Sequence, residues 1–223
     1  MKPKILITRK ILSGAVAYLN EHAEVEVGTQ ARSLSKEEIK SKIRDKEGLL
    51  CLLVDEIDRE IIAAAPRLRI IANCAVGFDN IDVSYARSKG IMVTNTPGVL
   101  TETTADLTWA LILAVARRIP QADRFTRERK YQGWELELFL GKEIRGKRLG
   151  IIGLGRIGKE VALLAAAFRM EVVYYDPRPL SREEEKKYRT AYLPLDELLR
   201  SSDIITIHAS LTPKSFHLLS REK

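Results

Sequence analysis

Gly153-Leu154-Gly155-Arg156-Ile157-Gly158 decides how the chain is read. The apolar run Arg148 to Ile152 that enters it has strand character, and Arg156 to Phe168 that leaves it has helical periodicity. A second strand-like run, Glu171 to Asp176, follows and ends in an acidic residue 18 positions past the last glycine. A strand, a GxGxxG turn, a helix and a strand ending in a carboxylate are the full context of a dinucleotide-binding fingerprint. Each part has a physical task. Gly153 permits the tight turn, Gly155 lets the backbone approach a pyrophosphate, and Gly158 lets helix and strand pack closely. The helix start offers unpaired N–H groups and partial positive charge to phosphates. Asp176 can accept the adenosine ribose hydroxyls and repels a 2′-phosphate, which predicts NAD rather than NADP. Arg178, two residues on, is the counter-candidate, a cation able to pair with such a phosphate; otherwise it is a solvated surface charge.

Working toward the N-terminus, strands and helices alternate. Strands are read at Lys4 to Thr8, Glu24 to Val27, Gly48 to Val54, Leu68 to Asn73 and Ile91 to Thr94. Helices are read at Ile11 to Glu21, from a Ser35/Glu38 capping box onward, at Asp58 to Ala65 and at Val83 to Lys89, with Gly90 in the stop position. This spacing is that of a parallel α/β sheet. After Asn95-Thr96-Pro97-Gly98 a long apolar helix runs from about Thr101 to Arg118 and is broken by Pro120; a charged helix and an irregular stretch around Trp134 follow. Toward the C-terminus come a helix at Leu195 to Ser201 and a strand at Asp203 to His208. Two α/β domains are expected, with a boundary near residue 98.

Composition narrows the function classes. Of 223 residues 45% are apolar and 30% charged, so the chain buries a core rather than remaining disordered. The net charge of +7 raises nucleic acid as a partner, but basic residues alternate with acidic ones and carry no interleaved aromatics, so none is expected. Cys51 and Cys74 make neither a disulfide framework nor a CxxC site and read as two buried thiols in a reducing cytoplasm. No apolar stretch is long enough to span a membrane, and no His, Asp or Glu set has metal-ligand spacing. His22 and His217 have no partner pattern and read as surface residues, and the serines lack a nucleophile-elbow context.

With the fingerprint in place, the flanking segments become informative. Ala75-Val76-Gly77-Phe78-Asp79-Asn80-Ile81-Asp82, Thr94-Asn95-Thr96-Pro97-Gly98-Val99, Thr104-Ala105-Asp106, Gly146 to Ile152, and Asp203 to His208 with Leu211-Thr212 resemble the D-isomer-specific 2-hydroxyacid dehydrogenase family, in order and along the whole chain. The closest likeness is to its glyoxylate and hydroxypyruvate reductase branch. The resemblance implies a flavodoxin-like substrate-binding (lid) domain over residues 1–98 and a Rossmann NAD-binding domain from residue 99, of which residues 99–223 are the first half, with the active site in the cleft between the domains. It implies that Leu53, Val76 and Gly77 line the substrate pocket, the N–H groups near Val76 and Gly77 holding the carboxylate; without that role the segment is only a turn. Phe78 reads as core. The resemblance places Thr104 on the cofactor phosphate beside the nicotinamide ribose, and His208 and Thr212 in the loop beside the cofactor. His208 is otherwise a structural residue ending a strand. It is not read as catalytic. Where the family has a proline two residues after that histidine, this chain has Ser210.

By the same resemblance the catalytic Arg, Glu and His, and the helix that returns to the lid domain, lie beyond Lys223. No catalytic residue is therefore assigned within the chain, and Ser220-Arg221-Glu222-Lys223 reads as the first turn of a helix. Two readings follow: a reductase of a small 2-keto acid, or a catalytically inactive dinucleotide-binding module or fragment, with the 223-residue chain itself expected to be inactive. Leu52-Leu53-Val54-Asp55 places apolar residues where phosphoglycerate-specific relatives are expected to have an Arg, so glyoxylate or hydroxypyruvate, with pyruvate as the alternative, is expected over a phosphorylated acid, since an unpaired phosphate is costly to bury. Members of the family dimerise through the region 101–140, and a homodimer is expected, with Trp109 and Trp134 near its interface.

Overall fold

Short apolar runs separated by capped helices build a first parallel sheet. In chain order its elements are β1 (Lys4–Ile7), α1 (Ser13–His22), β2 (Glu24–Val27), α2 (Lys36–Lys42), β3 (Gly48–Cys51), α3 (Arg59–Ala63), β4 (Ile70–Asn73), α4 (Val83–Ser88) and β5 (Met92–Thr94). The five strands are all parallel, in the order β2-β1-β3-β4-β5. That is the flavodoxin-like order, in which ligands meet the carboxyl ends of the strands where the order reverses. Register puts Leu6, Leu49 and Ile71 side by side on three adjacent strands, and all three are buried. Ile39 of α2, Ile61 of α3 and Ala86 of α4 close over them. Each helix has a reason to start where it does. Ser35 and Glu38 form a reciprocal capping box before α2, Asp58 accepts the Glu60 and Ile61 N–H groups before α3, and Asp82 accepts the Tyr85 N–H before α4.

A second parallel sheet follows. Its elements are α5 (Thr101–Ala116), α6 (Ile119–Arg127), β6 (Arg148–Ile152), α7 (Arg156–Ala165), β7 (Glu171–Tyr175), α8 (Arg182–Tyr188), β8 (Thr190–Tyr192), α9 (Leu195–Ser201) and β9 (Ile204–Ile207). The order β8-β7-β6-β9 is that of the first four strands of a Rossmann sheet. Leu149 and Ile151 of β6 and Tyr174 of β7 are fully buried beneath α7, which contributes Val161, Ala162 and Ala165. The chain, in a computed structural model that describes residues 2–28 and 33–220, divides into two units, residues 1–98 and 99–223.

Several expectations are corrected. The apolar run Gly48 to Val54 is strand only as far as Cys51. Leu52 to Asp55 is a turn, closed by the Asp55 N–H on the Leu52 carbonyl at 3.0 Å and by the Asp55 carboxylate on the Leu52 N–H at 2.8 Å. Pro120 does not break α5. The break is the left-handed Arg118 (φ 56°), and Pro120 sits in the first turn of α6, where its missing N–H costs nothing. The elements α8 and β8 have no counterpart in the sequence pattern, because α8 is charged almost throughout and β8 is only three residues long. Cys51 is buried but Cys74 is exposed, and Phe78, read as core, is half exposed. Trp109, expected near a dimer interface, does not present its own ring at the surface. It is buried in its own unit, stacked on Phe168 at 4.7 Å with its indole N–H on the Val161 carbonyl at 3.3 Å. Residues 221–223 of the segment expected to open a last helix lie outside the described residues.

Candidate functional site

The glycine turn follows β6, and its glycines answer to different constraints. Gly153 has φ +91°, and a Cβ there would lie 2.6 Å from the Ala209 nitrogen, where the chain leaving β9 passes. A Cβ on Gly158 would lie 2.4 Å from the Gly153 carbonyl oxygen, so helix and turn touch backbone to backbone. Gly155, the residue capping α7, is the contrast, for a Cβ there meets nothing within 4 Å. Packing therefore does not require glycine at 155, whereas a ligand approaching the backbone does. Behind it the first N–H groups of the ten-residue α7 lack intrahelical acceptors, and its first turn carries no acidic residue, with Arg156 there instead. Leu154 is buried and Ile157 half-buried against the core, so these two residues hold the turn while its backbone faces outward.

Asp176 follows β7, the strand paired with β6 from Arg148↔Glu171 to Ile152↔Tyr175. One carboxylate oxygen accepts the Leu154 N–H at 3.0 Å and the other accepts the Arg178 N–H at 3.0 Å. Each oxygen retains a lone pair for a further donor. Open space over Gly155, free helix N–H groups and an oriented carboxylate one strand away fit a dinucleotide's pyrophosphate and ribose. The Arg178 N–H is spent on Asp176, which folds the following segment back on the carboxylate. Tyr174 supports it from below, since its buried hydroxyl accepts the Leu180 N–H and donates to Glu185; burial pushes this phenol up to about 12.

The other residues expected beside the cofactor fall in the same unit. Thr104 lies in the first turn of α5, with its hydroxyl donating to the Leu100 carbonyl at 2.6 Å. His208 directly follows β9, its N–H on the Ile152 carbonyl at 2.7 Å and its Nε2 2.9 Å from the Thr206 hydroxyl. Burial lowers its pKa, so at neutral pH the ring is uncharged. The Thr212 side chain exchanges hydrogen bonds with Ser215, closing a small turn.

The residues expected to meet substrate gather in the other unit, past the carboxyl ends of β3 and β4. Leu53 is 64% exposed and Val76 37% exposed, large apolar side chains left open beside Gly77. Two amides to which the sequence pattern assigns no role tie these segments together. Asn73, 2% exposed, donates to the Gly77 carbonyl at 2.8 Å and to the Asn80 side-chain oxygen at 3.0 Å. Asn80 donates in turn to the Leu52 carbonyl at 3.1 Å and the Asp55 carbonyl at 2.9 Å. Asp55 is 2% exposed; one oxygen accepts from Thr8 at 2.5 Å, and its Oδ1 has no hydrogen-bond partner among the described residues. The only signal in the sequence is an asparagine ending an apolar strand, where its amide must find partners once buried.

Among the described residues no cluster of His, Cys, Asp or Glu is placed to hold a metal, and no helix is long and apolar enough to cross a membrane.

Comparison with known proteins places the chain. Residues 109–223 match the model of the D-isomer specific 2-hydroxyacid dehydrogenase, NAD binding domain. A protein of Thermococcus onnurineus named glyoxylate reductase is 43% identical over 227 residues, an alignment that covers 100% of this chain and 68% of that protein. The crystal structure of the TT0316 protein from Thermus thermophilus superposes with a TM-score of 0.88 at 42% identity, covering 98% of this chain and 68% of the other. That of D-lactate dehydrogenase from Aquifex aeolicus, complexed with NAD and lactic acid, gives a TM-score of 0.83 at 29% identity, covering 98% and 64%. With the glycine turn, its carboxylate and the two sheet orders already in place, the chain belongs to the D-isomer specific 2-hydroxyacid dehydrogenase family, and its second unit is an NAD-binding domain.

Proposed function

We propose that this chain supplies the NAD-holding and carboxylate-holding parts of a reductase that converts a small 2-keto acid, glyoxylate or hydroxypyruvate, into the 2-hydroxy acid. The observation that carries the reading is the Asp176 carboxylate bonded to the Leu154 N–H inside a glycine turn whose middle glycine, Gly155, faces open space. Bound NADH supplies the hydride that the keto carbon accepts. The chain's own residues do the holding. Gly153, Leu154, Gly155, Arg156, Ile157 and Gly158 shape the pyrophosphate seat, and Asp176 takes the ribose hydroxyls. His208 and Thr212 border the cofactor from the segment after β9. Thr104 meets the phosphate on the nicotinamide side once its hydroxyl leaves the Leu100 carbonyl. Val76 and Gly77 hold the substrate carboxylate through backbone N–H groups. Leu53 offers a phosphate no cation, which favours an unphosphorylated acid. Relatives named glyoxylate reductase support the same substrate class.

One observation favours a second reading, a dinucleotide-binding module without turnover. Among the described residues, the side chains that hydrogen-bond around Val76 and Gly77 are amides; the Asp79 carboxylate also lies beside Gly77, and no histidine is bonded to these groups. NADH titration by fluorescence tests what both readings share: saturable binding, tighter for NADH than for NADPH, is expected, and its absence overturns both.

The assembly belongs to the same proposal. Leu107, Leu111 and Val115 of α5 are 59%, 58% and 77% exposed, and Trp134 is 79% exposed. A homodimer through 101–140 covers this apolar stripe, and light scattering at micromolar concentration that returns a monomer mass would overturn it. The two thiols, both free and one of them exposed, suit a reducing cytoplasm.

A further inference from the structure

Three successive carbonyls after β4 are all held by protein donors. The Ala75 oxygen accepts the Thr96 N–H at 2.9 Å, the Val76 oxygen accepts the Asn95 side-chain amide at 2.8 Å, and the Gly77 oxygen accepts the Asn73 side-chain amide at 2.8 Å. The N–H groups of Val76, Gly77 and Phe78 find no acceptor among the described residues. These two facts are one fact seen from both sides. In a planar trans peptide the C=O and the N–H of the same unit point in opposite directions. A donor that fixes the Ala75 oxygen therefore aims the Val76 N–H the other way. Asn95 does the same for the Gly77 N–H, and Asn73 for that of Phe78. Asn73 is buried while Val76, Gly77 and Phe78 are exposed, so at Gly77 the oxygen is held from the protein interior.

The arrangement needs a lock. The Val76–Gly77 peptide adjoins a glycine, whose backbone visits conformations closed to other residues, so this peptide unit turns over at little cost. Turned over, it would present the Val76 oxygen where the Gly77 N–H had been, replacing a donor with an acceptor facing an anion. Nests of backbone N–H groups attract carboxylates only while every unit keeps its orientation.

We propose that Asn95 and Asn73 are positioning residues for the bound 2-keto acid, acting through the Val76 and Gly77 carbonyls to keep the Gly77 and Phe78 N–H groups turned toward the substrate carboxylate. The inference rests on the substrate reading above and goes past it, because neither asparagine touches substrate. Asn95 matters more, since it holds the peptide that glycine leaves free. Asn73 is also wired through Asn80 to the Leu52 and Asp55 carbonyls, so it keeps Leu53 and Gly77 in step.

The test is a glyoxylate titration of the ¹⁵N-labelled 223-residue chain, following the Val76, Gly77 and Phe78 amides, with NADH affinity measured alongside as a check on the other unit. In the unsubstituted chain these amides shift saturably. Asn95→Ala weakens glyoxylate by ~10-fold, the scale of one charge-assisted hydrogen bond. It also moves the ligand-free Gly77 amide resonance and leaves NADH affinity unchanged. Unaltered glyoxylate affinity and an unmoved Gly77 amide in Asn95→Ala overturn the positioning role while leaving the carboxylate reading intact. If the amides of the unsubstituted chain ignore glyoxylate, the carboxylate reading falls and the positioning role falls with it. Should Asn95→Ala fail to fold, Asn95→Leu, close in size, uncharged and without the donor, decides by the same two signals.

Discussion

The carboxylate of Asp176 accepts the backbone N–H of Leu154 at 3.0 Å, so the residue that ends one strand is bonded into the turn that ends its neighbour. This bond orients the carboxylate and braces the glycine turn together. Asp176→Ala is expected to narrow the preference for NADH over NADPH by about 1–2 kcal/mol, the scale of one or two hydrogen bonds to a charged group. Parallel fluorescence titrations of both cofactors measure it. An unchanged preference would place the carboxylate away from the ribose.

Gly155 and Gly158 should fail in opposite ways. A methyl group at Gly158 meets the Gly153 carbonyl oxygen at 2.4 Å, which requires a backbone shift, so Gly158→Ala should destabilise the second unit by about 1–3 kcal/mol. A methyl group at Gly155 meets nothing, so Gly155→Ala should cost under about 1 kcal/mol of stability, the change in helix capping. Its NADH affinity should nevertheless fall by about tenfold or more, ~1.4 kcal/mol. Thermal melts paired with NADH titrations separate the two effects. Equal behaviour of the two variants would mean that the turn is only a structural corner.

The glycine turn is legible in the sequence because each glycine obeys a local rule, visible in six consecutive residues. The strand orders are legible for a similar reason, since βαβ crossovers in a parallel sheet leave few alternatives. Trp109 is not. Its helix is apolar almost all round, and periodicity cannot say which side meets the chain's own core; stacking on Phe168 depends on a residue 59 positions away. The strand at Gly48 to Val54 reads too long because hydrophobicity continues through a turn that Asp55 imposes. Asn80 and Asn95 carry no signal along the chain and Asn73 only its place at the end of an apolar strand, because their role lies in bonds to carbonyls brought near by the sheet, which no spacing records.

The two thiols should separate cleanly. Cys51 is fully buried, and desolvation, with the Asp55 charge second, pushes its pKa up to about 12, so it carries almost no thiolate at neutral pH. Cys74 is exposed. A disulfide reagent at mildly alkaline pH should therefore titrate one thiol promptly in the native chain and the second only after denaturant is added. Prompt reaction of both would mean that β3 opens locally on the timescale of the assay.

The apolar stripe on α5 leads to a surface test. Leu111 is 58% exposed, so Leu111→Glu should leave the melting temperature of a monomer almost unchanged, as surface substitutions usually do. In a homodimer that covers this stripe, the buried unpaired carboxylate should drive dissociation. Light scattering on the two proteins at equal concentration compares them. A dimer that survives Leu111→Glu must form through another face.

The 223-residue chain, assayed as it is, should not oxidise NADH with glyoxylate above background. Hydride arriving at the keto carbon leaves negative charge on the carbonyl oxygen, and that oxygen must be stabilised and then protonated. A positioned acid contributes about 10²–10⁴-fold, and a positioned donor to the developing charge about 10²–10³-fold. Around Val76 and Gly77 the described side chains that donate are Asn73, Asn80 and Asn95, and each of them donates to protein acceptors within its own unit. His208, which directly follows the strand beside the glycine turn, is held against Thr206, and burial lowers its pKa, so at neutral pH it brings no imidazolium to the reaction. Binding without turnover is thus the expected behaviour, with NADH seated and glyoxylate shifting the Gly77 amide while absorbance at the nicotinamide band stays constant. A steady decrease in that absorbance, dependent on glyoxylate and abolished by Asp176→Ala or Gly155→Ala, would mean that an acid among these residues reaches the substrate and that the reaction needs nothing beyond this chain.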